Sequence, residues 1–81
     1  MSQIQKLVEK FLKNPNSLSY SEIHKVLSYF NFEKIDAKGS HVKYKHSHFA
    51  YDLIIPVHNG DCKSFYKKEA MKRVQKIQNK K

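Results

Sequence analysis

The apolar residues of this 81-residue chain change their spacing twice, and that switch constrains the fold more than any other feature of the sequence. The opening pattern is helical: Ile4, Leu7, Val8, Phe11 and Leu12 fall at i, i+3, i+4, i+7 and i+8, with Gln5, Lys6, Glu9 and Lys10 opposite. This predicts an amphipathic helix over 2–13. Asn14-Pro15-Asn16-Ser17 ends it, because the ring of Pro15 disfavours a helical Asn14 and offers no backbone donor. A second helix is expected at once, since Ser19 and Glu22 have capping-box spacing and Ile23, Val26, Leu27 and Phe30 repeat the stripe. Both stripes read as core.

After Asn31 the period becomes two, which predicts strands over 33–37, 41–46 and 49–57, with Lys38-Gly39-Ser40 as the first turn. In the second strand Val42 and Tyr44 point one way and His41, Lys43 and Lys45 the other. Tyr51, Leu53 and Ile55 supply the apolar face of the third, and Pro56 ends it or leaves it at an edge. His58-Asn59-Gly60-Asp61 then leads to a last helix over 64–78. There Ala70, Met71, Val74 and Ile77 face inward, and Lys68, Lys72 and Lys76 form a one-sided stripe. The order α-α-β-β-β-α describes an α+β fold, a three-stranded antiparallel sheet with helices on one face, because the short inter-strand turns suit hairpins better than crossovers. Residues 1–81 read as one domain, the 2–13 helix being an extension of a core at 18–78.

Length and composition narrow the function. Eighty-one residues exclude a two-domain enzyme, and 40% hydrophobic residues are too many for a disordered tail. No apolar run is long enough for a membrane span and the first residues lack a secretory layout, so the expected setting is the cytoplasm, away from membranes. The one cysteine, Cys62, has no partner for an internal disulfide. The net charge of +9 is unevenly spread. Residues 1–40 carry six Lys against four acids, whereas residues 41–81 carry nine Lys and one Arg against three. A polyanionic partner, nucleic acid or an acidic protein, follows from that asymmetry.

The sharpest local feature is Gly39-Ser40-His41, which delivers an imidazole through a glycine turn to the start of a strand whose same face continues with Lys43 and Lys45. Cleaving RNA without a metal needs a group that titrates near neutrality and cations to hold the phosphate, and these residue types supply both. Tyr44 and His46 are further proton-transfer candidates, although Tyr44 falls on the core face. A metal is the competing use of His46, His48, His58 and Cys62, but their spacings match no zinc finger or ribbon, and no metal is expected. His24 reads as surface or packing, and Cys62 as incidental unless His58 and Lys63 lower its pKa. From Phe65 to Arg73 aromatic and basic residues interleave, and Ser64, Lys67, Lys68 and the free amides of a helix start suit a phosphate. With two glycines in the chain there is no Gly-rich nucleotide loop, so no small-molecule cofactor is expected.

Taken together these residues resemble the HicA or YcfA-like mRNA interferase toxins of prokaryotic type II toxin–antitoxin systems. The resemblance rests on Gly39-Ser40-His41 opening a strand, Ile55-Pro56-Val57-His58 closing the next, Asn59-Gly60 after it, and a basic last helix. The layout from Asn14-Pro15 through Tyr20–Phe32 is similar to the longer branch with an extra N-terminal helix, so the likeness spans roughly residues 14–77. It implies a double-stranded-RNA-binding-domain-like fold, mRNA cleavage without metal, and neutralisation by a HicB-like antitoxin. The family's catalytic histidine falls on His41, with Gly39 and Ser40 around it. Lys43, Lys45, Lys67, Lys68 and Lys72 are the expected RNA contacts. Two positions depart from the family pattern: Val42 stands where many members have a second histidine, and Ser64-Phe65-Tyr66 where many have Gly-Thr-Leu. The alternative is an RNA-binding module without chemistry, in which Lys67, Lys68 and Lys72 contact phosphates across a groove.

Overall fold

A computed structural model describes residues 2–37 and 39–79. Helix α1 (Gln3–Lys13) starts at Ser2, whose hydroxyl accepts from the Gln5 amide while the Gln5 side chain returns to the Ser2 amide. Pro15–Ser17 form one turn of 3-10 helix, with Pro15 at the first position, where a missing donor costs nothing. Helix α2 (Tyr20–Tyr29) carries the same reciprocal cap between Ser19 and Glu22. It stops because Asn31 adopts φ 70°, and the Phe32 amide reaches back to the Leu27 carbonyl while that of Asn31 reaches Ser28. Those two bonds form a Schellman motif, and Phe32 and Leu27, the pair that such a motif brings together, are both buried in the core.

Strands β1 (Glu33–Asp36), β2 (His41–Lys45) and β3 (Leu53–Pro56) form an antiparallel sheet in the order β1-β2-β3, and helix α3 (Ser64–Asn79) completes the α-α-β-β-β-α order. The register sets Asp36 opposite Val42, and Val42 opposite Ile55; Tyr44 faces Lys34 on one side and Leu53 on the other. Val42, Tyr44, Leu53 and Ile55 therefore share one face. Tyr44, Leu53 and Ile55 join Phe11, Leu18, Ile23, Val26, Leu27, Ala70 and Val74 in a single core cluster with Val42 packed against it, so the helices cover that face. The α+β architecture agrees with the sequence reading and is consistent with a double-stranded-RNA-binding-domain-like fold. No helix among the described residues is long and apolar enough to cross a membrane.

The strands are shorter than expected. β1 stops at Asp36 and β2 at Lys45, but the largest difference is β3, which begins at Leu53 and not at residue 49. Residues 46–52 leave the ladder because their groups find other partners: the Phe49 amide turns back to the His46 carbonyl at 3.1 Å, and Arg73 takes the Tyr51 carbonyl at 2.7 Å. Tyr51, expected on the apolar face, is 82% exposed.

Candidate functional site

The uncovered face of the sheet holds the residues singled out from sequence. Strand alternation puts His41, Lys43 and Lys45 there from β2, Ile54 and Pro56 from β3, and Glu33 and Ile35 from β1. Gly39, at φ 69°, turns the chain into β2 in a left-handed conformation that residues with a Cβ avoid. Lys38 lies outside the described residues. The turn is anchored on both sides. The Ala37 amide donates to the His41 carbonyl at 3.1 Å and the Val57 amide to the Ser40 carbonyl at 2.8 Å, so the backbone of His41 is held while its side chain stays exposed. Lys43 lies between Ile35 and Ile54, and Lys45 opposite Glu33. The site is an open imidazole at one end of a strand with two ammonium groups further along the same face.

The Val57–Ser40 bond also brings the next turn to this end of the sheet. Asn59 (φ 54°) and Gly60 (φ 76°) both sit at positive φ, and His58 and Asp61 exchange backbone bonds at 2.8 and 3.0 Å, making a tight two-residue hairpin. Pro56, His58, Lys63 and Tyr66 line a small cavity there. The sequence reading gave Lys63 no RNA role. Its signal was present only as a lysine just before a helix, and its place beside His58 depends on this hairpin.

Two other candidates are already engaged. Tyr44 is fully buried, its hydroxyl 2.7 Å from the Tyr20 hydroxyl and 2.9 Å from His24 Nδ1. Burial first, and then the bond to Tyr20, push its phenol well above the ordinary tyrosine range, and the hydroxyl is turned into the core and away from the open face. His46 donates from Nε2 to the Phe30 carbonyl at 2.9 Å and accepts the His48 amide at Nδ1, also at 2.9 Å. With both nitrogens used, it is a brace. Burial also pushes the Cys62 thiol upward, away from a nucleophilic thiolate. Among the described residues no three His, Cys, Asp or Glu side chains converge as metal ligands.

His24, read as surface or packing, contributes to the network under β2. Burial, followed by Lys34, lowers its pKa. The folded protein then binds fewer protons than the unfolded chain at and just below the ordinary imidazole value of about 6.5. Its contribution to stability is present above that value and is lost as pH falls through the folded pKa. The urea midpoint is expected to drop between pH 7.5 and 5, and His24→Gln to flatten that drop; an equal drop in the variant would assign the effect elsewhere. The lowered carboxyls of Glu22 and Asp61 act in a more acid window.

The α3 stripe is present at Lys68, Lys72 and Lys76, all exposed, and Ser64 is exposed at its start. Lys67 requires correction. Expected among the phosphate contacts, it is only 7% exposed: Nζ donates to the Leu18 carbonyl at 2.8 Å and pairs with Asp61 at 3.3 Å. Asp61 Oδ1 also accepts the amides of Cys62 and Tyr20, and these amides with Lys67, the Cys62 amide foremost, hold its carboxyl below the usual range. This clamp ties α3 to the start of α2. Lys67→Met removes the buried charge, leaves the half-exposed Asp61 to its two amides and to water, and leaves the Leu18 carbonyl unpaired, at a cost of about 1–2 kcal/mol. Asp61→Ala keeps the buried ammonium without its counter-charge, the costlier error. Asp61→Ala is expected to show the lower urea midpoint, and the reverse order would show that Asp61 does not hold Lys67.

A family model described as the HicA toxin of bacterial toxin-antitoxin systems matches residues 20–75, which run from the first residue of α2 well into α3 and include the whole open sheet face. Comparison with curated proteins and with solved structures gave no match.

Proposed function

The chain belongs to the HicA toxin family, so it is the toxin of a bacterial toxin–antitoxin pair with a cognate antitoxin, and from that premise we propose that it is a metal-independent mRNA endoribonuclease centred on His41. The observation that carries this reading is the exposed His41 imidazole on the open sheet face, in line with Lys43 and Lys45 and inside the matched segment. In the proposed step the ribose 2′-oxygen bonds to phosphorus as the P–O5′ bond breaks. His41 either takes the 2′ proton or supplies one to the leaving oxygen, and water takes or supplies the other. Lys43 and Lys45 offset charge on the phosphoryl oxygens. Gly39 and Ser40 shape the turn that presents His41, and Lys68 and Lys72 hold phosphates further along the strand of RNA.

The antitoxin is proposed to be a HicB-type protein that covers this basic face, giving fast, salt-sensitive association. The exposed stripe on α3 favours the second reading, an RNA-binding module without chemistry. One experiment separates the two. Incubation with labelled single-stranded mRNA in EDTA is expected to give fragments ending in 2′,3′-cyclic phosphate and 5′-hydroxyl, suppressed by the antitoxin. Intact RNA retained in a steeply salt-dependent manner would instead establish the module.

A further inference from the structure

The segment that stays out of β3, residues 46–52, is a braced aromatic platform. Phe49 stacks on Phe32 with ring centroids 6.0 Å apart and 21° between planes, and His48 meets Phe49 edge-on at 4.9 Å. From α3, the Arg73 guanidinium carbon lies 4.8 Å over the Phe49 ring while Nη1 donates to the Tyr51 carbonyl at 2.7 Å. The backbone is thereby pinned at Tyr51, which is 82% exposed, well beyond the other exposed large hydrophobic residues among those described, of which Phe65 at 62% comes nearest. Phe49, Ala50, Tyr51, Arg73 and Lys76 line a shallow depression of about 180 Å³. From Lys72 to Lys76, α3 carries three cations and no acid, and Lys72 and Lys76 are exposed.

We propose that this loop and the C-terminal half of α3 form an accessory site for single-stranded RNA, with Tyr51 stacking on an unpaired base and Lys72 and Lys76 holding the adjoining phosphates. The inference rests on the RNA reading above and places a further substrate contact away from His41. An open aromatic face among cations suits single strands, because every unpaired base has a face to stack and every link a phosphate. A duplex hides those faces. An acidic protein segment pairs with the lysines but does not present a stacking face at each unit of its chain, as a single strand does. The loop also follows directly on the candidate active strand: β2 rises about 3.3 Å per residue, so Lys45 lies about 13 Å from His41, and the platform segment begins at the next residue.

The test measures binding of a labelled single-stranded RNA of about 12 nucleotides, within the range of such sites, by anisotropy, in a His41→Ala background that prevents cutting. Tyr51→Ala is expected to weaken binding about 5- to 100-fold. Tyr51→Phe keeps the ring and the affinity, and Lys76→Gln lowers the slope of log K against log salt by about 0.7. Tyr29→Ala, which removes a half-exposed ring that is not part of the platform, leaves binding unchanged. Circular dichroism confirms that each variant is folded. Parent-like affinity in Tyr51→Ala overturns the inference while leaving the nuclease reading intact. So does a loss of antitoxin capture without a loss of RNA binding, which assigns the platform to the protein partner. If the parent neither binds RNA nor, with His41 restored, cuts it, the nuclease reading fails and the accessory site falls with it.

Discussion

Replacing His41 by alanine is expected to slow RNA cleavage by about 10²- to 10⁴-fold, the usual contribution of a positioned acid or base, with almost no change in stability. The second half of that statement follows from geometry. The side chain is exposed, and what holds the turn is backbone: the Ala37 amide on the His41 carbonyl and the Val57 amide on that of Ser40. Alanine keeps both bonds, and an exposed side chain away from the core changes stability within about 0.5 kcal/mol. A folded protein that has lost its chemistry is therefore expected, read out by fragment yield beside a melting curve. Lys43→Gln and Lys45→Gln are expected to cost less than His41→Ala, because each removes one of two cations on the face. Cleavage by His41→Ala at the parent rate would end the assignment of His41.

Phe11→Ala is expected to cost about 3–5 kcal/mol, a large share of the roughly 4–12 kcal/mol typical of a domain this size. The family match begins at residue 20, so α1 lies before it, yet Phe11 is completely buried and Val8 nearly so. Both belong to the same cluster as Ile23, Val26, Tyr44 and Val74, from α2, β2 and α3. Truncation leaves a cavity among those side chains, and at roughly 4–8 °C per kcal/mol the melting temperature should fall by at least about 12 °C. Urea unfolding gives the free energy directly. A cost below about 1 kcal/mol would show that α1 is an appendage and that the folded core begins after Pro15.

Much of this architecture was legible in the sequence because it is set locally. Ser19 and Glu22 are three residues apart and formed the cap their spacing required. Gly39 adopted the positive φ that a turn before Ser40-His41 suggests. Alternation along β2 separated Tyr44 from His41, Lys43 and Lys45 before any packing partner was known, since successive side chains of a strand leave opposite faces. The candidate active face could thus be read without coordinates.

Lys67, His46 and Tyr51 could not. The sequence places Lys67 beside Lys68 in a basic run, yet its ammonium lies buried because the Leu18 carbonyl, 49 residues away, and Asp61 meet it there. His46 has the composition of a proton-transfer group and becomes a brace only because the Phe30 carbonyl lies within 2.9 Å. Tyr51 sits in an alternating apolar run, and Arg73, 22 residues on, draws its carbonyl out of the ladder. Helix, cap, turn and the two faces of β2 were determined by the sequence alone, because each depends on residues within a few positions of one another. Which lysine is free, which histidine is occupied and which aromatic ring faces water were decided by the tertiary structure, because each depends on a donor or acceptor brought in from a distant part of the chain.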